Sequence, residues 1–130
     1  MIAKTPPPPY YAVIFTSVRT DVFNGYSEMS SHMIELAGKQ EGFLGFESAR
    51  NDVGITVSYW KDLKSIARWK QHVLHQAAQR RGQVEWYRQY KVRISKVEKE
   101  YGFERTESQS EYNRSMSVPR VEKDINDIPA

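Results

Sequence analysis

The sequence predicts an α+β domain of ferredoxin-like topology, β-α-β-β-α-β around an antiparallel sheet. Three observations carry this. Segments rich in β-branched and aromatic residues alternate with stretches of helical period. Their order along the chain is strand, helix, strand, strand, helix, strand. The strands are apolar on both faces, more than two helices on one side can cover.

The first strand is "YYAVIFTSVRT", residues 10–20, where Tyr11, Val13 and Phe15 alternate with Ala12, Ile14 and Val18. After "DVFNG", the segment "YSEMSSHMIELAGKQ" places Tyr26, Met29, Met33, Leu36 and Ala37 on one helical stripe, and Gly42 stops it. "FLGFESAR" and "ITVSYW" read as two strands joined by "NDVG", a hairpin turn. In the second of them Ile55, Val57 and Tyr59 oppose Thr56, Ser58 and Trp60. "LKSIARWKQHVLHQAAQRRGQVEWY" is helical, with Gly82 a break or kink, and "KVRISKVEKEY" is the last strand. That strand changes phase, with Val92 and Ile94 on one parity and Val97 and Tyr101 on the other. A β-bulge near Ser95–Lys96 would produce the shift, and so would a strand that ends early.

A chain of 130 residues suits one domain with one core. Pro6 to Pro9 make residues 1–9 a Pro-rich arm, read as an extended, stiff spacer. Residues 10–103 form the folded domain. Residues 104–130 have few large apolar side chains and no sustained period, which reads as a disordered tail. The tail holds six acids against four bases, so the body carries +5 of a formal +3.

With no cysteine, disulfides and thiolate chemistry are excluded, and a reducing cytoplasm is the expected location. No run approaches the ~18 apolar residues of a membrane span. "MIAKTPPPPYY" lacks the apolar core of a secretory signal. The densest basic stretch, "QRRGQVEWYRQYKVR", mixes cations with aromatics but reads as a solvated helix end, so no nucleic-acid partner is expected. No Gly-rich phosphate loop, nucleophile elbow or paired-carboxylate pattern occurs, which leaves hydrolysis and phosphoryl transfer without support.

The passage "ELAGKQEGFLGFESARNDVGITVSYWKD", followed by "SIARWKQHVLHQAAQRRGQVEWYRQYKVRISKVEKEY", resembles the antibiotic biosynthesis monooxygenase (ABM) domain, in particular its YqjZ-like branch. The resemblance covers roughly residues 10–103, and its most telling pieces are "GFLGFES", "SYWKD" and the Trp-containing helix. It implies a homodimeric α+β barrel, sheet against sheet, with a pocket for a small-molecule ligand between sheet and helices in each subunit. Some members oxygenate phenolic or quinol-like compounds with O₂ and no cofactor; others bind and degrade haem.

By the same resemblance, haem-degrading relatives carry an asparagine on the first strand, a tryptophan on the second helix and a histidine ten residues beyond it. Trp69 matches, whereas the other two positions fall on Thr16 and Gln79, which disfavours haem. Could another histidine serve? At about 100° per residue with Trp69 at 0°, Ile66, Val73 and Ala77 fall at about 40–80° and define the buried stripe. His72 lies near 300° beside Trp69, with Gln79 near 280°, and His75 near 240° faces away.

His72 is therefore the candidate proton acceptor, and Thr16, Trp60, Trp69, His75 and Gln79 are pocket candidates. The alternative places both histidines on an ordinary helix surface. His72 and His75 lack nearby Cys, Asp or Glu partners for a closed metal site, so no metal is expected. The leading functional reading is a cofactor-independent monooxygenase on a small aromatic, phenolic or quinol-like substrate. A non-catalytic dimeric ligand-binding or stress-related module, and a haem binder with a non-standard ligand, are the alternatives.

Overall fold

The computed structural model describes residues 1–22, 25–79 and 83–105, with the backbone alone described for 74–79, 83 and 84. The chain divides into two compact units, Met1–Glu100 and Tyr101–Ala130. All the regular elements described lie in the first. They are β1 (Tyr10–Arg19), α1 (Tyr26–Gly38), β2 (Phe43–Arg50), β3 (Gly54–Trp60), α2 (Leu63–Gln79), a short α3 (Gln83–Trp86) and β4 (Tyr87–Val97). The four strands make one antiparallel sheet in the order β2-β3-β1-β4, the expected ferredoxin-like topology.

Local chemistry sets the element ends. Gly42, between α1 and β2, takes a left-handed φ of 87°, and a Cβ there would collide with the Ser65 side chain. Asp62 caps α2: its Oδ1 accepts hydrogen bonds from the Ser65 backbone N–H at 2.8 Å and the Ser65 hydroxyl at 2.7 Å. These bonds hold the Asp62 carboxyl below its ordinary value.

The last strand corrects two expectations. It begins at Tyr87, four residues before the anticipated start at Lys91, and ends at Val97. Pairing with β1 is unbroken from Tyr10↔Val97 to Val18↔Gln89, so no bulge lies at Ser95–Lys96. The irregularity is at the other end, where Arg19 pairs with Tyr87 and Arg88 is the extra residue. The phase change in the sequence therefore marks the strand's early end. The aromatic residues beside it explain the early start, since Tyr87 packs edge-on against Phe15 at 5.5 Å and against Tyr26 at 5.9 Å. This also corrects the solvated-helix-end reading of "QRRGQVEWYRQYKVR". Within that stretch Trp86 is buried and residues 87–93 are strand, with Arg88, Lys91 and Arg93 exposed. Gly82 lies outside the described residues.

Register assigns side chains to the two faces. Tyr11, Val13, Phe15 and Ser17 share a face with Trp60, Ser58 and Thr56 of β3 and with Lys96, Ile94, Val92 and Tyr90 of β4. The helices take this face: fully buried Trp60 stacks on Trp69 of α2 at 5.9 Å, and Tyr26 of α1 meets Tyr87. Of the stripe expected on α1, Met29 and Ala37 are buried, while Tyr26, Met33 and Leu36 are half-buried.

The opposite face carries Tyr10, Ala12, Ile14 and Thr16 beside Tyr59, Val57 and Ile55. Here the Pro-rich arm is fastened to the sheet rather than standing off as a spacer. The Ala3 N–H donates to Glu47 at 2.9 Å, and the Thr5 hydroxyl donates to Glu100 at 3.2 Å. Tyr59 donates to the same Glu47 at 2.6 Å, Tyr10 donates to Glu100, and the two tyrosine rings meet edge-on at 5.7 Å.

Burial and then the Glu47 hydrogen bond push the Tyr59 hydroxyl up to about 12, so it remains a donor at all ordinary pH. The bonds from Tyr59 and from the Ala3 N–H hold the Glu47 carboxyl below its ordinary 4.5. A depressed carboxyl contributes stability above its unfolded value and loses it as pH falls through the folded one. Glu47→Gln is therefore expected to be less stable than the parent chain at pH 7, with the gap closing below about pH 4. Urea denaturation at pH 7 and pH 3 checks this; an equal gap at both would contradict it.

Candidate functional site

The helix-facing side of the sheet carries a strip of side chains of mixed chemistry, here the trough. From the Tyr11–Trp60 pair to the Ser17–Gly54 pair is six residues along β1, about 20 Å at the usual strand rise. Trp60, Trp69 and His72 occupy one end. The Trp60 indole N–H donates to the Ser58 hydroxyl at 2.9 Å, and Phe43 stands edge-on to the same indole at 5.3 Å. Trp69 is half-buried, and the exposed His72 ring lies 6.4 Å from it. Ile66 is buried and Val73 half-buried, so the helix turns as its periodicity predicts.

The middle of the trough is a bed of Val13 and Phe15 with the half-buried hydroxyls of Thr56 and Ser58. On β4 the same face leaves Tyr90 59% exposed, Val92 48% and Ile94 52%. Side chains this apolar, left open beside an aromatic cluster, are what a flat apolar ligand would cover.

The far end holds a cation. Ser17, 1% exposed, accepts a hydrogen bond from the Arg50 guanidinium. Arg50 reaches it by lying over Gly54, where a Cβ would occupy the place of the guanidinium. Phe15, Tyr87 and Tyr90 surround this end, with Phe15–Tyr90 centroids at 5.5 Å and Tyr87–Tyr90 at 6.0 Å. Arg19 lies over the Tyr26 ring, 3.3 Å from its centroid. Burial and a hydrogen bond with Tyr26 push the Tyr87 hydroxyl up, while Arg50 and Arg19 act in the opposite direction.

The structure thus brings three sequence candidates together: Trp60, Trp69 and His72. Thr16 stands on the opposite face, paired with Ile55, and cannot line the same trough. The backbone of His75 and Gln79 belongs to α2, but their side chains lie outside those described. No group of three or more metal-ligating side chains occurs among the described residues. Sequence reasoning passed over Ser17, Gly54 and Arg50. Period-two alternation sets Ser17 and Thr16 on opposite faces, but only the β1–β3 register shows that Ser17 shares the Trp60 face.

A second groove, about 600 Å³ and open to solvent, runs between the N-terminal residues and β2, lined among others by Ile2, Phe43, Phe46 and Glu47. Its walls carry one carboxylate, already engaged by Tyr59 and Ala3.

Comparison with known proteins places this geometry. The chain is 48% identical over 105 residues, 79% of its length, to the Uncharacterized protein YqjZ of Bacillus subtilis (strain 168), and covers 92% of that protein. Among solved structures it is similar to PA3566 from Pseudomonas aeruginosa, with a TM-score of 0.56 at 14% identity over 74% of this chain and 99% of that one. It is also similar to SnoaB, a cofactor-independent oxygenase from Streptomyces nogalater, with a TM-score of 0.58 at 10% identity over 70% and 95%. At such identities the structural likeness speaks to fold alone. Residues 9–81 match the family described as antibiotic biosynthesis monooxygenase, more than half of the chain, and with the YqjZ relationship this shows that the protein belongs to that family.

Proposed function

We propose that this protein is a cofactor-independent monooxygenase acting with O₂ on a small aromatic, phenolic or quinol-like substrate held in the helix-facing trough. The observation that supports the reading most is the open bed of Tyr90, Val92 and Ile94 beside Phe15, with hydroxyls along its floor, in a chain of this family. The cofactor-independent oxygenase SnoaB shares the fold and lends support to the class of reaction.

The chemistry asks little of the protein beyond placement and a proton acceptor. Loss of a proton makes the phenol-type substrate electron-rich enough to reduce O₂. In a phenol whose keto tautomer holds a ring methylene, one oxygen atom replaces the two hydrogens of that methylene and the other leaves as water, so the substrate supplies all the electrons. His72 takes the proton: it adjoins Trp69 at the trough's end and is open to water, to which it passes the proton on. Trp60 and Trp69, stacked on each other, shape that end. The reading employs no haem, because glutamine at 79 offers no imidazole and Thr16 faces away from Trp69.

The proposal includes a homodimer through the sheet face opposite the helices, where Ile14 and Val57 are half-buried and Ile55 is exposed. Light scattering is expected to give twice the 15.2 kDa chain mass, and a monomer at micromolar concentration would remove the dimer. An oxygen electrode with a panel of quinols and anthrone-like phenols is expected to record uptake that falls at least tenfold in His72→Ala. Uptake unchanged by the substitution would take His72 out of the role, and no uptake with any compound would count against oxygenation.

A further inference from the structure

Arg50 is a cation that the proposed oxygenation does not use. It is the last residue of β2 and exposed, yet its guanidinium is held: it lies over Gly54 and donates to Ser17, which is itself 1% exposed. A guanidinium has five N–H donors. Ser17 takes one, and among the described residues no carboxylate lies within ion-pair distance of Arg50. Surface arginines on flexible stems sample many rotamers, whereas this one is pre-oriented over a glycine that a larger residue would block. Its surroundings on the trough side are aromatic and apolar: Ser17 pairs with Tyr90, and Phe15 with Val92. Arg19, another cation at this end, is seated over the Tyr26 ring.

We propose that Arg50 is the specificity-determining anchor of the trough, binding the carboxylate of an elongated aromatic acid whose rings lie along Phe15, Tyr90 and Val92. The planar fork matches two carboxylate oxygens. The about 20 Å from this end to Trp60 is longer than one aromatic ring, so an acid anchored at Arg50 reaches Trp69 and His72 only if it carries fused or linked rings. The inference rests on the trough being the substrate site, and it names the class of substrate that site selects.

Binding of 2-naphthoate and of its neutral counterpart 2-naphthamide, measured anaerobically by titration calorimetry, tests it without any turnover. The acid is expected to bind at least tenfold more tightly than the amide. Arg50→Gln should bring the two within about twofold, and Arg50→Lys should keep part of the preference. Gly54→Ala, which leaves the charge in place but takes the room the guanidinium occupies, should also weaken the preference. Circular dichroism melts of each variant separate lost recognition from lost folding, and the acid-to-amide ratio within one protein is independent of the fraction folded. Equal binding of acid and amide by the parent chain, a ratio that survives Arg50→Gln, or no binding of naphthoate at all would overturn the proposal. Absence of oxygen uptake would sink the monooxygenase reading while leaving the ratio as it stands, so the two fail separately.

Discussion

Trp60 closes β3 with no exposed surface, and its indole lies between Phe43 at the start of β2 and Trp69 on α2. Burying a side chain of this size, 150–250 Å², is worth roughly 4–6 kcal/mol as an upper bound at about 25 cal/mol per Å². That burial decides more than stability. It fixes which face of β3 the helices cover, and the continuous register with β1 carries the decision to every other strand. Once Trp60 points at α2, then Ser58, Thr56, Phe15, Ser17 and Arg50 must point to the same side.

The two faces then acquire different jobs from the same alternation. On the helix side, aromatic rings, strand hydroxyls and a pre-oriented guanidinium leave a trough whose β4 wall is half-open. On the other side, two buried or half-buried tyrosines donate to Glu47 and Glu100, and those carboxylates also fasten Ala3 and Thr5. The trough and the fastening of the N-terminal arm are thus separated by the thickness of one sheet. A change on one face reaches the other only through the backbone.

Much of the fold was legible in the sequence because the signals are strong. "YYAVIFTSVRT" admits little but a strand, "SEMSSHMIELA" has a helical stripe, and "NDVG" joins two strands in register. The last strand was legible in kind but not in extent, since Trp86 and Tyr87 carry equal weight as helix or strand residues. Their contacts with Tyr26 and Phe15, made across the fold, settle where the strand starts. The site was half legible. Helical geometry set His72 beside Trp69, as found, because that pair is local. Arg50, Gly54 and Ser17 meet only through pairing of three strands, and no local pattern announces that a guanidinium will cross a glycine to a buried serine.

In the proposed function a ligand sits in the helix-facing trough. Amide chemical-shift mapping with ¹⁵N-labelled protein and an unreactive two-ring phenol tests that directly. The largest shifts are expected at Phe15, Ser17, Thr56, Tyr90 and Val92, with smaller ones at Ala12, Ile14 and Val57. Shifts concentrated instead around Ala12, Ile14, Val57 and Tyr59 would put the ligand on the opposite face and contradict the account.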